Sequence, residues 1–101
     1  MISRILKYDL DVFDTPKAMK IKISGGEICP IAVAEQNGSL MLWVQTSIAD
    51  EDAKAVEDRE QELVVYVFGT GHSYVRQHNH VHIGTVVMSI GFVWHVFYEK
   101  Q

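Results

Sequence analysis

Leu63–His72 reads LVVYVFGTGH and Val81–Glu99 reads VHIGTVVMSIGFVWHVFYE, and these two stretches decide the fold. β-Branched and aromatic residues dominate both, the composition of a pleated, packed surface. Leu63–Phe68 predicts a buried strand, and the corner Gly69-Thr70-Gly71-His72 ends it. Val81–Met88 predicts another strand, in which Gly84 marks a bulge or a close backbone approach. Ser89-Ile90-Gly91 turns the chain into Phe92–Tyr98. There Phe92, Trp94, Val96 and Tyr98 alternate with Val93, His95 and Phe97, so both faces are bulky. That predicts burial on both, by the sheet's own core and by a second surface such as a subunit partner. The segment between these strands, Ser73–His80 (SYVRQHNH), is polar and reads as a loop or one helical turn.

Working outward toward the N-terminus, Ile28–Glu35 (ICPIAVAE) and Leu40–Ser47 (LMLWVQTS) flank Asn37-Gly38. Asn-Gly suits a type I′ hairpin, because both central residues need positive φ. Pro30 lacks an N–H for a ladder, so its strand lies at an edge or bulges near Pro30. Cys29 sits in an apolar run and is expected to be a buried small hydrophobe. Lys17–Ile23 sets Met19, Ile21 and Ile23 against Lys20 and Lys22; Arg4–Val12 sets Leu6, Tyr8, Leu10 and Val12 against Ile5, Lys7, Asp9 and Asp11. Both are period-two patterns of half-buried strands. Phe13–Pro16 breaks the chain between them, and Ser24–Glu27 reads as a turn. Ile48–Glu62 carries seven of the thirteen acidic residues and few apolar ones. It reads as a solvated loop with at most a turn or two of helix, capped by Asp50. The whole is a single all-β domain over residues 1–101. It is a small antiparallel sandwich or barrel of about seven strands, with at most one short helix.

Composition narrows the function classes. A chain of 101 residues buries roughly 60–68 % of its unfolded surface, enough for one core. The net charge is −4, and the nine basic residues are scattered, so a nucleic-acid grip through phosphates is not expected. With one cysteine no intrachain disulfide forms. No apolar run reaches the ~20 residues of a membrane span, and no signal-peptide core stands at the N-terminus. The expected location is the cytoplasm.

Three clusters have residue types suited to chemistry. His78, His80 and His82 follow an H-x-H-x-H pattern; on an extended chain their rings project to one side, ~6.6 Å apart. Imidazoles in that spacing can converge on a divalent transition metal, with His72 as a further ligand if the loop folds back. Gly69-Thr70-Gly71-His72, with Tyr74 and Arg76, offers backbone N–H groups, an aromatic face and a cation within eight residues. That is the make-up of a small-ligand pocket, although the third glycine of a dinucleotide fingerprint and the Lys-Ser/Thr of a phosphate loop are missing. His95, between Trp94 and Val96, reads as a core histidine with satisfied hydrogen bonds. No set of residues supplies nucleophile, base and orienter together in the sequence.

The chain resembles a family of small uncharacterised proteins from phages and prophage-bearing bacteria. The resemblance rests on Arg4–Tyr8, on Ile28–Trp43, on Val67-Phe68-Gly69-Thr70-Gly71-His72, on His82-Ile83-Gly84-Thr85-Val86 and on Gly91–Phe97. It implies a compact β-rich fold and a phage-related origin, hence the host cytoplasm as location. It supplies no established activity. Small phage proteins of this kind are expected to inhibit a bacterial antiviral defence system, by sequestering a nucleotide-type signal or by blocking a host defence protein. The first expectation is therefore a non-enzymatic binding protein, a homodimer or higher oligomer, with no obligate cofactor. The alternative is a small metal-assisted hydrolase using the histidine cluster.

Overall fold

The structure is a computed structural model, and it describes residues 2–10, 17–48 and 60–100. Seven strands follow in order: β1 Ile2–Asp9, β2 Lys17–Ser24, β3 Ile28–Gln36, β4 Ser39–Ile48, β5 Glu60–Gly69, β6 His80–Val87 and β7 Val93–Glu99. They form two antiparallel sheets, a three-stranded one in the order β1-β4-β3 and a four-stranded one in the order β2-β5-β7-β6. Among the described residues no ladder joins the two sheets, so the arrangement is a sandwich and not a closed barrel.

Period-two alternation builds the core. β5 buries Leu63, Val65 and Val67 and turns Val64, Tyr66 and Phe68 to the other side. β4 presents Leu40, Leu42 and Val44 from the facing sheet. Leu10, Ile23, Val86, Met88 and Val96 complete the cluster. Each such side chain contributes about 1.5–3 kcal/mol on burial. The inner faces of β1 and β2 carry Leu6, Tyr8, Met19 and Ile21 against it, in the phase their sequences predict.

The turns match the sequence chemistry. Asn37 and Gly38 have φ of 52° and 81°, and Gln36 pairs with Ser39, as a type I′ hairpin requires. The β6–β7 loop is Ser89-Ile90-Gly91 within a three-residue hairpin, with Gly91 N–H donating to Met88 O at 2.9 Å. β3 lies at a sheet edge and its register shifts between Pro30 and Ala32, the two settings in which a strand tolerates a residue without an N–H. β4 runs on to Ile48 and β5 starts at Glu60, so both strands extend into the ends of the acidic stretch. The expected helix capped by Asp50 and the break at Phe13–Pro16 lie outside the described residues.

Cys29 departs from expectation, for it is exposed. β3 turns Ile28 inward and Cys29 onto the outer face of the three-stranded sheet, opposite Gln45. The strand is apolar on both faces, so its sequence did not reveal which phase points inward.

The sheets meet closely at one seam. β6 is bulged: His82 pairs with Phe97, and the next paired residue is Gly84, with Val96. A Cβ on Gly84 would lie 2.9 Å from Val33 Cγ2 of β3, so only glycine leaves room for that contact. Glu35 of β3 accepts from Ser89 N–H at 3.1 Å and from Ser89 Oγ at 3.0 Å, fastening β3 to the β6–β7 turn. On the opposite side Arg4 Nη2 donates to Ser24 O at 3.0 Å. Gln61 Nε2 donates to the carbonyls of Gly25 and Gly26 where the chain crosses between sheets. Among the described residues no helix is long and apolar enough to cross a membrane.

Thr46 is fully buried on β4, and its hydroxyl finds no partner among the described residues. A buried unsatisfied hydroxyl costs about 1–3 kcal/mol. Thr46→Val keeps the shape and removes that cost. The melting temperature is expected to rise by ~4–8 °C for each kcal/mol recovered. A fall in calorimetrically measured Tm would mean that the hydroxyl is hydrogen bonded in solution.

Candidate functional site

The outer face of the four-stranded sheet is built by the residues that the core does not take. β5 contributes Tyr66 and Phe68, β7 contributes His95 and Phe97, and β6 contributes His80, His82 and Thr85. Register sets them in rows: Tyr66, Phe97 and His82 lie side by side, and Phe68, His95 and Thr85 form the next row. The bulge decides the second row. In a regular strand His82 and residue 84 would share a face; with Ile83 as the extra residue, Thr85 joins His82 instead.

Hydrogen bonds then run along this face. His82 Nε2 lies 3.1 Å from Thr85 Oγ1, and Thr85 Oγ1 lies 3.0 Å from His95 Nδ1. His95 Nε2 lies 2.9 Å from Thr70 Oγ1, on the turn that follows β5. Four side chains thus form one continuous row, His82–Thr85–His95–Thr70. His82, Thr85 and Thr70 are exposed and His95 is half-buried. His95 does have both nitrogens satisfied, as its sequence context predicts, but on the outer face and not in the core.

The segment 70–79 folds back over the rest of the face. Tyr74 packs on Phe68, with ring centroids 4.0 Å apart, and lies 5.2 Å from Phe97. Its hydroxyl hydrogen bonds His80 Nδ1, and Gln77 N–H donates to the same nitrogen at 3.3 Å. His80 is accordingly buried, with its ring 4.4 Å from that of Tyr66. Arg76 lies over Phe97, its Cζ 5.4 Å from the ring centroid, and His82 lies 5.0 Å from the same ring. Tyr74 and Arg76, from within the chain, thus cover Phe97 of β7.

The residues singled out in the sequence separate into three groups. Thr70, Tyr74 and Arg76 come together on the outer face with His82. Gly69, Gly71 and His72 form a β-turn beside it: His72 N–H donates to Gly69 O at 3.1 Å, and Gly71 has φ of 95°, the conformation a type II turn needs at its third residue. His72 Nδ1 accepts from Gly69 N–H at 3.0 Å, so two of the corner's four N–H groups are spent on the corner itself. His78, His80 and His82 are the third group, and they have separate posts. His78 is exposed in the turn before β6, His80 Nδ1 anchors the covering segment, and His82 belongs to the hydrogen-bonded row. Among the described residues no three His, Cys, Asp or Glu side chains are grouped to hold a metal ion.

Comparison with known proteins adds a family. A domain of unknown function, DUF7352, matches residues 1–101. The chain belongs to that family. No curated protein and no solved structure matches the chain. The family spans every part of the site, both sheets and the covering segment included, and its description assigns no activity, so the chemistry has to be argued from the residues.

Sequence reasoning missed Thr85 and the outward role of His95. The signal was present in Gly84: counting Ile83 as a bulge residue puts Thr85 on the face of His82 and opposite His95.

Burial raises the Tyr74 hydroxyl above its ordinary pKa, the nearby Arg76 pulls it part of the way back, and Tyr66 adds a smaller upward push. The folded state therefore favours neutral Tyr74. That contribution is complete below the unfolded value of about 10 and is lost as pH rises through the folded value. Stability measured by denaturant is expected to fall above pH 10, with a shallower fall in Tyr74→Phe. Tyr8, also raised by burial, persists in the variant as a residual slope. Identical slopes would mean that the Tyr74 ring is solvated in the folded protein.

Proposed function

We propose that this is a non-enzymatic binding protein whose ligand surface is the outer face of the four-stranded sheet. One observation carries the reading. Arg76 and His82 flank the half-buried Phe97 ring, and the exposed row from His82 to Thr70 runs beside them. A cation for phosphate and a line of donors and acceptors for a sugar are parts that a nucleotide-type ligand uses. The resemblance to phage and prophage proteins supports a setting in which such a ligand is a signal of bacterial antiviral defence, and the protein inhibits that system by sequestering it in the host cytoplasm. Blocking a host defence protein with the same face is the other form of the same activity. Self-association is supported by a different surface: Val87, Ile90 and Phe92 stand exposed around the β6–β7 turn.

A second reading draws on the row itself. Thr70 Oγ1 at 2.9 Å from His95, with Thr85 on the other ring nitrogen, has the order of nucleophile, base and orienter. This reading makes the protein a small hydrolase.

Calorimetry with cyclic and linear nucleotides, followed by chromatography of the recovered ligand, separates the two. Sequestration is expected to return the ligand intact. Arg76→Ala is expected to weaken binding about tenfold or more, since a charge-assisted hydrogen bond is worth roughly 1.5–3 kcal/mol. A cleaved ligand, with cleavage lost in Thr70→Ala, would select the hydrolase. Binding unaffected by Arg76→Ala would take the ligand off this face. Gly71 is unsuited to the test, because any other residue at φ 95° strains the turn.

A further inference from the structure

The row on the outer sheet face has a feature that nucleotide binding does not require. His82 Nε2 and His95 Nδ1 point at one oxygen, Thr85 Oγ1, from 3.1 and 3.0 Å. They come from different strands, β6 and β7, and the bulge at Ile83 brings them to the same side. The geometry points to a two-histidine site for a divalent late transition metal ion such as Zn²⁺ or Ni²⁺, with His82 Nε2 and His95 Nδ1 as its ligands.

Three physical arguments carry this. Neutral imidazole is a favoured ligand for these ions, and one donor atom of each ring already faces the common point. Reaching a metal–nitrogen distance of about 2.0–2.1 Å asks each ring to close by about 1 Å on the place where Thr85 now bridges them. Both ligands stand on strands, which hold such positions better than loops do. The second argument is the far side of His95. A metal-bound histidine uses its other ring nitrogen to donate to an outer partner, which fixes the tautomer. Thr70 Oγ1 is at 2.9 Å from His95 Nε2, so a proton on Nε2 leaves the Nδ1 lone pair directed at the site. The third is access. β6 is a sheet edge, His82 and Thr85 are exposed, and water can fill the remaining coordination positions. The chain's net charge of −4 raises no barrier to a dication.

The site differs from the H-x-H-x-H cluster in its ligands. Only His82 is shared; His80 Nδ1 is occupied by Tyr74 and Gln77, and His78 stands apart in a turn. It is also independent of the nucleotide reading: metal binding without nucleotide binding leaves this site and removes that reading, and the converse result does the reverse.

The test uses the full chain without an affinity tag. Titration with Zn²⁺ and with Ni²⁺ by calorimetry is expected to give one ion per chain, bound tighter than about 10⁻⁴ M. Zn²⁺ is expected to shift the ring-nitrogen NMR signals of His82 Nε2 and His95 Nδ1 and to leave those of His72 in place. His82→Ala is expected to weaken binding at least tenfold, and Thr70→Ala by about 10–100-fold as an outer-partner loss. His78→Ala is expected to change nothing. If His95→Ala fails to fold, the NMR shifts on the unaltered chain and the edge-strand variant His82→Ala decide the matter. No saturable binding tighter than about 10⁻⁴ M, or binding retained in His82→Ala, overturns the proposal. Loss of binding in His78→Ala overturns it as well, by assigning the ion to the sequential cluster.

Discussion

Gly84 has no side chain, and Val33 from the other sheet occupies the space that one would fill, 2.9 Å from where a Cβ would be. That contact lies beside the extra residue in β6, between the His82 and Gly84 pairings. A bulge bends a strand and changes which residues face outward beyond it. Here it draws β6 toward β3 at the seam and turns Thr85 to the outer face. The same residue thus serves packing on the inner side and the hydrogen-bonded row on the outer one. Glu35, gripping Ser89 from β3, holds the far end of β6 in that register.

The outer face of the four-stranded sheet also explains why its strands are apolar on both sides. An antiparallel sheet usually packs one face and wets the other. β5 and β7 instead carry Tyr66, Phe68 and Phe97 outward, and segment 70–79 returns to cover them. A loop lying on aromatic surface must satisfy its own polar groups, and His80 does that here. It takes Gln77 N–H and the Tyr74 hydroxyl on one nitrogen, while its own N–H donates to Gln77 O at 3.1 Å. The middle histidine of the H-x-H-x-H pattern is thus the anchor of a roof.

The sequence made the fold legible because its signals were local. Alternation in Arg4–Leu10 and Lys17–Ile23 set their inner faces, Asn37-Gly38 named its hairpin, and Pro30 announced an edge or a bulge, of which β3 has both. Legibility failed where the deciding fact was a partner distant in the chain. Cys29 could not be placed because β3 is apolar throughout, and only pairing with Gln45 of β4 sets its phase. Nothing in SYVRQHNH says that Tyr74 reaches Phe68, so the part of the second surface over β5 and β7 that comes from within the chain has no local signal. For the site, spacing by two suggested three converging histidines. That rule holds only on a regular strand, and His78 lies in the turn before β6 while His80 Nδ1 is taken by Tyr74 and Gln77.

The row rewards a closer count of protons. A neutral imidazole has one donor and one acceptor, and a hydroxyl donates once. If Thr85 donates to His95 Nδ1, then His95 Nε2 donates to Thr70, and His82 Nε2 supplies the proton that Thr85 accepts. If instead Thr70 donates to His95 Nε2, then His95 Nδ1 donates to Thr85, which can use its second lone pair to accept from His82 Nε2 or can donate to it. The two bonds of His95 therefore reverse together, while the His82–Thr85 bond is fixed only when Thr85 donates to His95. With Thr85 donating to His95, the row offers the solvent a free Thr70 hydroxyl proton and an open lone pair on His82 Nδ1. A ligand that accepts at Thr70 fixes the state of His82 through three hydrogen bonds, with no movement of the backbone. The two ends of the exposed face are thus chemically coupled, and the coupling exists because one bulge residue turned Thr85 outward between two histidines.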